Sequence, residues 1–352
     1  MKEIDLLKNL IRYNSCTIEK SNELLIYCKE WLLENNLSCE IFENNGCKFL
    51  TSSIGSGGKT LVFNGHLDVV SGGEEQFSPY IEGDKLFGRG SSDMKAGVCA
   101  MMIAMSELRD EDLSCRVMLQ LVTDEETGGE NCSKFLSTNK FLGDFILCGE
   151  PTQLNIGVQA KGILQLDLEF HGVSAHGSRP WQGINAISSA YESFNKIKNL
   201  PFTKESTELY EGPSINLAKI AGGEVYNKVP DYCKMSLDIR FLPTQSAEEI
   251  INQIKKVVDC NILIHATGDP VKTNINDRSV LLLREITLKH TKSQCKLFGQ
   301  HGSSDTRFFS KYNIPAVEFG PCGEKWHGDG EYVLISSVIK YKEILVDFAK
   351  NF

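Results

Sequence analysis

The sequence has no run of apolar residues that approaches the roughly 20 needed for a helix to cross a bilayer. Its first residues mix charged and apolar side chains and lack the apolar core of a signal peptide. There is no basic cluster, and the net charge of −9 argues against nucleic acids and anionic membranes as partners. Repeats and low-complexity segments are absent as well, so the sequence predicts a globular cytoplasmic protein.

The cysteines show no metal-binding arrangement, because none of the twelve belongs to a Cys-x-x-Cys pair. Most lie in apolar stretches, as Cys99, Cys115 and Cys148 do, which favours small buried residues in a reducing compartment over disulfides. The remaining composition, 41% hydrophobic and 24% charged, is ordinary for a globular protein. A chain of 352 residues is long enough for about two domains.

Three apolar runs predict buried strands, and each is followed by side chains that can bind a metal. The runs and their followers are 61–63 with His66 and Asp68, 115–122 with Asp124, Glu125 and Glu126, and 145–148 with Glu150. In an open α/β sheet, sites form at the carboxyl ends of the strands. His66 and Asp68 are two residues apart and would face the same side, where the carboxylate could fix the imidazole or act as a second ligand.

Each of these features also has an ordinary structural interpretation. A single histidine at a strand end is usually a satisfied structural residue. Asp93 precedes residues 96–108, which predict a buried helix, and could be its N-cap. The three consecutive acids could form a solvated turn instead of surrounding a cation. A fourth polar segment, residues 326–331, comes just before a C-terminal helical run.

Six motifs resemble those of the metallopeptidase family of acetylornithine deacetylases, succinyl-diaminopimelate desuccinylases, aminoacylases and glutamate carboxypeptidases. In order they are GHLDVV, GRGSSDMKAG, DEETGG, GEPT, GVSAHGSRP and WHGDGEYV, spread from residue 64 to 333. Their joint order and spacing make the resemblance specific. It implies an α/β fold: a zinc-exopeptidase-like α/β/α catalytic domain with an inserted α+β, ferredoxin-like domain for lid and dimer formation.

The resemblance also implies two divalent metal ions, usually Zn²⁺, with Co²⁺ or Mn²⁺ as alternatives for a mixed nitrogen and oxygen site. The implied residues are His66, Asp93 and Glu150 for one ion, Asp93, Glu126 and His327 for the other, Asp68 to orient His66, and Glu125 as general base. Such a pair of ions activates water and polarises an acyl oxygen, and a free carboxylate then transfers the proton to the leaving amine.

The pattern of elements changes near residue 158, which predicts an inserted domain at 158–270 between two parts of a catalytic domain at 1–157 and 271–352. Residues 161–170 alternate apolar and polar side chains, as a half-exposed strand does. Further strands are expected at 215–220 and 233–240, and helices at 184–197 and 247–258. Half-polar strands with two helices suit an antiparallel sheet covered on one face.

Further site residues follow from the resemblance. His176 would cross a dimer interface and stabilise the oxyanion in the partner's site, a role that needs a donor directed at the developing charge. The implied substrate-binding residues are Lys161, Asn227, Arg240, Ser303 and Ser304. Arginine suits an α-carboxylate through two parallel hydrogen bonds, and the serines precede a helix N-terminus. A polar turn, an exposed salt bridge or a helix cap is the alternative for each.

The sequence therefore predicts a metal-dependent amidohydrolase, acting as a homodimer on a small N-acyl amino acid or a short peptide. N-acetylornithine is the leading substrate, because GVSAHGSRP is more similar to the deacetylase and aminoacylase segment. The alternatives are a succinyl-diaminopimelate desuccinylase, a dipeptidase or carboxypeptidase, and a catalytically silent metal- or peptide-binding protein. The last would be expected to lack the base, and Glu125 is present.

Overall fold

A computed structural model describes residues 2–302 and 304–352 of the chain. The chain divides into two compact units. One comprises Met1–Val158, Lys272–Phe298 and Ser304–Phe352, and the other comprises Gln159–Val271 and Gly299–Ser303. The function of the second unit as a lid or dimerisation domain stays a prediction.

The described residues form nine α-helices, none of which is both long enough and apolar enough to cross a membrane. They are α1 (Lys2–Arg12), α2 (Ile18–Glu34), α3 (Lys95–Leu108), α4 (Ser133–Thr138), α5 (Ala186–Ile197), α6 (Ala247–Lys255), α7 (Arg278–Thr291), α8 (Thr306–Ser310) and α9 (Ile335–Asn351).

Strands make up most of the remaining regular structure. In chain order they are β1 (Cys39–Asn44), β2 (Cys47–Ile54), β3 (Thr60–His66), β4 (Tyr80–Glu82), β5 (Lys85–Phe87), β6 (Arg116–Val122), β7 (Phe145–Cys148), β8 (Ile156–Ala160), β9 (Gly162–His171), β10 (Ser214–Gly222), β11 (Tyr232–Phe241), β12 (Asn261–Gly268), β13 (Val271–Lys272), β14 (Leu297–Gln300), β15 (Ala316–Glu318), β16 (Gly323–Glu324) and β17 (Tyr332–Leu334).

The first unit is built on a mixed sheet in which β1, β2, β6, β3, β7, β15 and β8 are neighbours in that order. Its centre is parallel, because β3 pairs in parallel with both β6 and β7, and β15 pairs in parallel with β7. The apolar runs predicted as buried strands are therefore confirmed, and they are the adjacent central strands. Their carboxyl ends lie at one edge of the sheet, where sites of open α/β proteins form.

Helices cover both faces of this sheet, as the resemblance implies. On β3, Gly65 faces α3 so closely that a Cβ atom there would lie 2.8 Å from the Val98 side chain. Val62, which has the opposite parity along the strand, packs in a buried cluster with Phe309 of α8. Nearly the whole of α3 is buried. Burial of each large apolar side chain contributes about 1.5–3 kcal/mol to the free energy of unfolding, so α3 anchors the unit.

The second unit contains an antiparallel sheet with the strand order β10-β11-β9-β12. Alternate residues of β9, from Leu164 to Phe170, form a buried cluster with residues of α5 and α6, and their neighbours face away from it. The predicted alternation is confirmed. The sequence analysis missed β12, because most of its residues are exposed and it forms the edge of the sheet.

A small sheet of β16, β17, β5 and β4 lies within the first unit. In it Tyr332 pairs with Phe87 and Leu334 pairs with Lys85. This pairing brings a late segment of the chain beside the segment that leads into Asp93.

Candidate metal centre

His66 ends β3 and is almost completely buried. Its Nδ1 atom lies 2.9 Å from the backbone oxygen of Asp68, an acceptor, so Nδ1 carries the proton of the neutral ring. The Nε2 atom then offers a lone pair toward Asp93 Oδ1 at 3.2 Å and Glu150 Oε1 at 3.8 Å. The sheet register explains Glu150, because Asn64 is level with Cys148 and both partners lie two residues further along.

Asp93 lies between two histidines. Its Oδ1 atom faces His66, and its Oδ2 atom lies 3.3 Å from Nε2 of His327. The helix that follows begins at Lys95, and its N-cap position is occupied by Met94. The N-cap interpretation of Asp93 is therefore wrong. One carboxylate oxygen directed to each histidine is the arrangement expected of a bridging ligand.

The second group of possible ligands consists of Asp93, Glu126 and His327. Glu126 Oε1 lies 3.1 Å from Nε2 of His327. Glu126 belongs to a short 3-10 turn, Glu125–Thr127, just after β6, and its backbone N–H donates to Asp68 Oδ2 at 2.8 Å. The Asp68 carboxylate thus fixes this turn. Its other oxygen, Oδ1, is 3.6 Å from His66 Nδ1, further than the backbone oxygen of the same residue.

The donor chemistry of both groups fits divalent metal ions. Within each group the candidate ligand atoms lie within 4.8 Å of one another. Imidazole nitrogens and carboxylate oxygens form a site suited to zinc and its neighbours. The Nε2 lone pair of neutral His66 faces carboxylate oxygens, an arrangement that is repulsive unless a cation lies between them.

The carboxylates of the centre are crowded. Burial raises the pKa of Glu150 well above its usual range and also raises the pKa of Glu126, with His66 opposing and Asp93 adding to both effects. Burial opposes ionisation of Asp93 as well, but its two histidine partners outweigh burial and lower its pKa. These directions describe a negatively charged site with too few protein cations, which a metal ion would neutralise.

Glu125 belongs to neither ligand group. Burial, together with the charges of Asp305 and Asp68, raises its pKa well above the usual range, and His66 opposes the shift. The preceding Asp124 is buried and accepts a hydrogen bond from the backbone of Asn131 at 2.7 Å. The interpretation of the three acids as a solvated turn is therefore wrong. The turn presents one ligand and one separate carboxylate side by side.

Predicted substrate residues of the second unit have these partners in the structure. Lys161 is buried and donates from Nζ to the backbone oxygen of Gly212 at 2.7 Å. Arg240 pairs with Asp238, with Nε 2.9 Å from Oδ1. Asn227 is exposed. Their roles in substrate binding stay predictions.

The remaining predicted residues are His176 and the two serines. His176 is exposed, and its Nδ1 atom lies 2.8 Å from Oγ of Ser178. Ser304 is buried, and its hydroxyl lies 2.6 Å from that of Thr306. Ser303 lies outside the residues that the structure describes. No contact within the described residues assigns His176 or Ser304 a ligand.

Two buried acids near the centre were not predicted. Glu331 accepts hydrogen bonds from the loop that carries Asp93. Asp305 accepts from the Ser133 hydroxyl at 2.6 Å, and a Cβ atom at Gly129 would lie 2.2 Å from its other oxygen. Asp305 therefore packs directly against the end of the turn that carries Glu125. Both acids occur in motifs that were recognised, but the sequence has no periodic signal for their long-range contacts.

Comparison with known proteins agrees with this geometry. The family model described as peptidase family M20/M25/M40 matches residues 62–351. The chain is 28% identical to a succinyl-diaminopimelate desuccinylase of Pelagibacter ubique, over 99% of this chain and 98% of that protein. It is 30% identical to a succinyl-diaminopimelate desuccinylase of Buchnera aphidicola subsp. Cinara cedri, over 84% of each.

The fold is also that of solved structures. The aminopeptidase PepT from Bacillus cereus superposes with a TM-score of 0.85 at 19% sequence identity, over 99% of this chain and 97% of that one. The family includes dinuclear metal-binding peptidases. The α/β fold with helices on both faces of the sheet is confirmed. The chain therefore belongs to peptidase family M20/M25/M40 and is a metal-dependent hydrolase of amide bonds in small amino-acid or peptide substrates.

Proposed function

We propose that this enzyme removes a succinyl group from an amine nitrogen of diaminopimelate. The names of the curated relatives support this choice, since the similarity extends along nearly the whole chain. It replaces N-acetylornithine as the leading substrate. The observation that carries the hydrolytic function is the position of Asp93, with one oxygen directed at each of two histidines and the free carboxylate of Glu125 nearby.

The proposed ligands are those of the two groups. One ion, Zn²⁺ in the first instance and Co²⁺ or Mn²⁺ as alternatives, binds His66, Asp93 and Glu150. A second binds Asp93, Glu126 and His327. When bound, such ions polarise the acyl oxygen and lower the pKa of the attacking water.

Glu125 is the proposed general base. It accepts a proton from the water whose oxygen bonds to the acyl carbon, and it delivers that proton to the nitrogen as the C–N bond breaks. The products are succinate and the free amine. Burial raises the pKa of Glu125, so its protonated form is stable enough to act as the acid in the second step.

Recognition of two carboxylate-bearing parts of the substrate is assigned to cationic and polar side chains. Lys161 and Arg240 supply positive charge, and Asn227, Ser303 and Ser304 supply hydrogen-bonding groups. Arg240 already pairs with Asp238, so its guanidinium is oriented before substrate arrives.

The dimer is also proposed, and the second unit supplies its surface. Strand β10 is at the edge of the sheet and leaves one side unpaired within that sheet. Several large apolar side chains of the same unit are exposed, including Trp181, Tyr191 and Tyr226. Exposed apolar groups of this size are typical of protein interfaces. His176 is exposed on this unit, as a residue that acts in a partner's site must be.

A second candidate substrate is N-acetylornithine. The segment Gly172–Pro180 favours it, because its sequence is more similar to that of the deacetylases and aminoacylases. A dipeptide is the third possibility, and a requirement for a free α-amine would identify it.

The test is a substrate panel with purified enzyme loaded with Zn²⁺ or Co²⁺. N-succinyl-diaminopimelate, N-acetylornithine and dipeptides are compared by kcat/KM, with release of the free amine as the measured signal. The proposal requires that the succinyl substrate be preferred by at least about tenfold, a difference of roughly 1.4 kcal/mol in transition-state binding. Preference for the acetyl substrate supports the second candidate, and no cleavage of any amide overturns the hydrolase assignment.

A further inference from the structure

Glu331 is a buried carboxylate that belongs to neither ligand group, and both of its oxygens accept hydrogen bonds. Oε1 accepts from the backbone N–H groups of Ser92 at 2.9 Å and Asp93 at 3.1 Å. Oε2 accepts from Nη1 of Arg89 at 2.9 Å and from the N–H of Gly90 at 3.0 Å. Four donors from one short segment therefore converge on a single side chain.

The segment that supplies these donors is the Asp93 loop, residues 88–93. It lies between β5 and α3 and belongs to no helix or strand, so regular structure does not satisfy its N–H groups. Glu331 satisfies three of them. Because one is the N–H of Asp93 itself, the carboxylate fixes the backbone at the bridging ligand.

Glu331 also acts on the second histidine. His327 has a φ of +58°, a left-handed conformation that costs free energy for a residue with a side chain. Its backbone oxygen accepts a hydrogen bond from Nη2 of Arg89 at 3.4 Å, while Nη1 of the same guanidinium binds Glu331. The guanidinium thus joins the Asp93 loop, Glu331 and the His327 backbone.

The next residue anchors Glu331 to the same region. Tyr332 begins β17 and pairs with Phe87, the last residue of β5. The N–H of Gly88 donates to the backbone oxygen of Glu331 at 3.0 Å. The position of the Glu331 side chain is therefore determined by a strand pair and not by a loose loop.

We propose that Glu331 is a positioning residue that fixes the distance between the Asp93 loop and His327, and so determines the metal affinity of the His327 group. This inference rests on the proposed ligands. Two of the three ligands in the Asp93, Glu126 and His327 group depend on Glu331, but only one of the three in the His66, Asp93 and Glu150 group does. Loss of Glu331 must weaken the His327 group more.

The test compares metal binding by the wild type, Glu331→Gln and Asp329→Asn. Asp329 is the matched control, an exposed acid on the same segment with no contact to the Asp93 loop backbone. Bound Zn²⁺ is measured by elemental analysis after equilibration in metal buffers, and Co²⁺ titrations are followed by visible absorption. We expect two ions for the wild type and the control. In Glu331→Gln the weaker of the two binding constants should fall about 10–100-fold and the stronger one less.

Turnover supplies a second measurement. If Glu331 acts only through metal occupancy, excess Co²⁺ restores the kcat of Glu331→Gln to within a few-fold of the wild type. Equal weakening of both metal sites, or unchanged binding, overturns the proposal. Wild-type protein that binds fewer than two ions contradicts the ligand assignment instead, so the two failures are distinguishable.

Arg89→Gln covers the case in which Glu331→Gln does not fold. It removes the link between Glu331 and the His327 backbone but leaves the three backbone N–H donors of Glu331 in place. We expect selective weakening of the His327 group here as well. Tight binding of two ions by Arg89→Gln contradicts the proposed link.

Discussion

The carboxylate of Asp68 accepts a hydrogen bond from the backbone N–H of Glu126, with Oδ2 2.8 Å from the nitrogen. The same residue contacts His66 through its backbone oxygen, 2.9 Å from Nδ1. Asp68 therefore contacts one residue from each ligand group. The resemblance implies only that Asp68 orients His66, and in the structure the backbone atom makes the shorter contact with the ring.

Replacement of Asp68 by alanine should weaken metal binding. The turn at Glu126 loses its fixed partner, and supporting hydrogen bonds of this kind are typically worth about 10–100-fold in metal affinity. Equilibrium binding of Zn²⁺ or Co²⁺ measures the effect, with the exposed Glu74→Gln as control. Unchanged affinity in Asp68→Ala would show that the backbone contacts suffice.

Glu125→Gln should abolish most turnover and leave metal content unchanged. The amide cannot accept the proton of water, and general base catalysis contributes about 10²–10⁴-fold. Steady-state kinetics and elemental analysis are measured on the same preparation. Glu130→Gln is the control, since Glu130 is an exposed acid from the same stretch that pairs with Lys134. Normal turnover of Glu125→Gln would refute the base assignment.

Metal binding should strengthen as the pH rises toward about 9. In the metal-free protein Asp93 raises the pKa of His327 to about 9, with Glu126 adding to the effect and burial opposing it. This pKa is above the unfolded value, so the proton stabilises the metal-free fold fully below about pH 6.5, and this contribution is lost as the pH rises through about 9. Metal must displace that proton.

The measurement is a series of metal titrations and thermal melts between about pH 6 and 10. His327→Gln is the comparison variant, because it removes the titrating group and one ligand. An affinity for metal that does not change with pH in the wild type would contradict the direction.

Removal of metal by a chelator should lower the melting temperature. Asp93, Glu126 and Glu150 would then repel one another, and the free energy of metal binding would no longer stabilise the folded state. An ion present at 100 times its dissociation constant contributes about 2.7 kcal/mol. Calorimetry with chelator, and then after Zn²⁺ is added back, tests this expectation. A melting temperature that ignores both treatments would count against a metal in the centre.

His176→Ala should slow turnover without loss of metal, and subunit mixing tests whether His176 acts in the partner's site. Glu125→Gln subunits retain His176, and His176→Ala subunits retain Glu125. Reassociated mixtures should therefore regain activity that neither variant has alone, because one site in each mixed dimer is complete. Sedimentation establishes the dimer. Mixtures that stay as slow as the separate variants would exclude action across the interface.

The sequence was sufficient to predict the metal centre where local patterns carry the information. Apolar runs followed by His66 and Glu150 predicted parallel strands that end at a common edge, and the register aligns these two residues. Contacts between distant segments had no such pattern. Glu331 binds backbone N–H groups more than 230 residues earlier in the chain, and backbone groups do not differ between sequences. Asp305 was missed for the same reason.

Strand β17 has a consequence for how the enzyme is made. A ribosome completes His66, Asp93 and Glu150 long before it reaches His327, and the late hairpin must pair with β5 to bring that histidine into position. A nascent or truncated chain can therefore capture one cation and yet carry out no hydrolysis. Competence for chemistry arrives only with the last segment to be synthesised, so proteolysis just before Gly323 would separate metal capture from turnover.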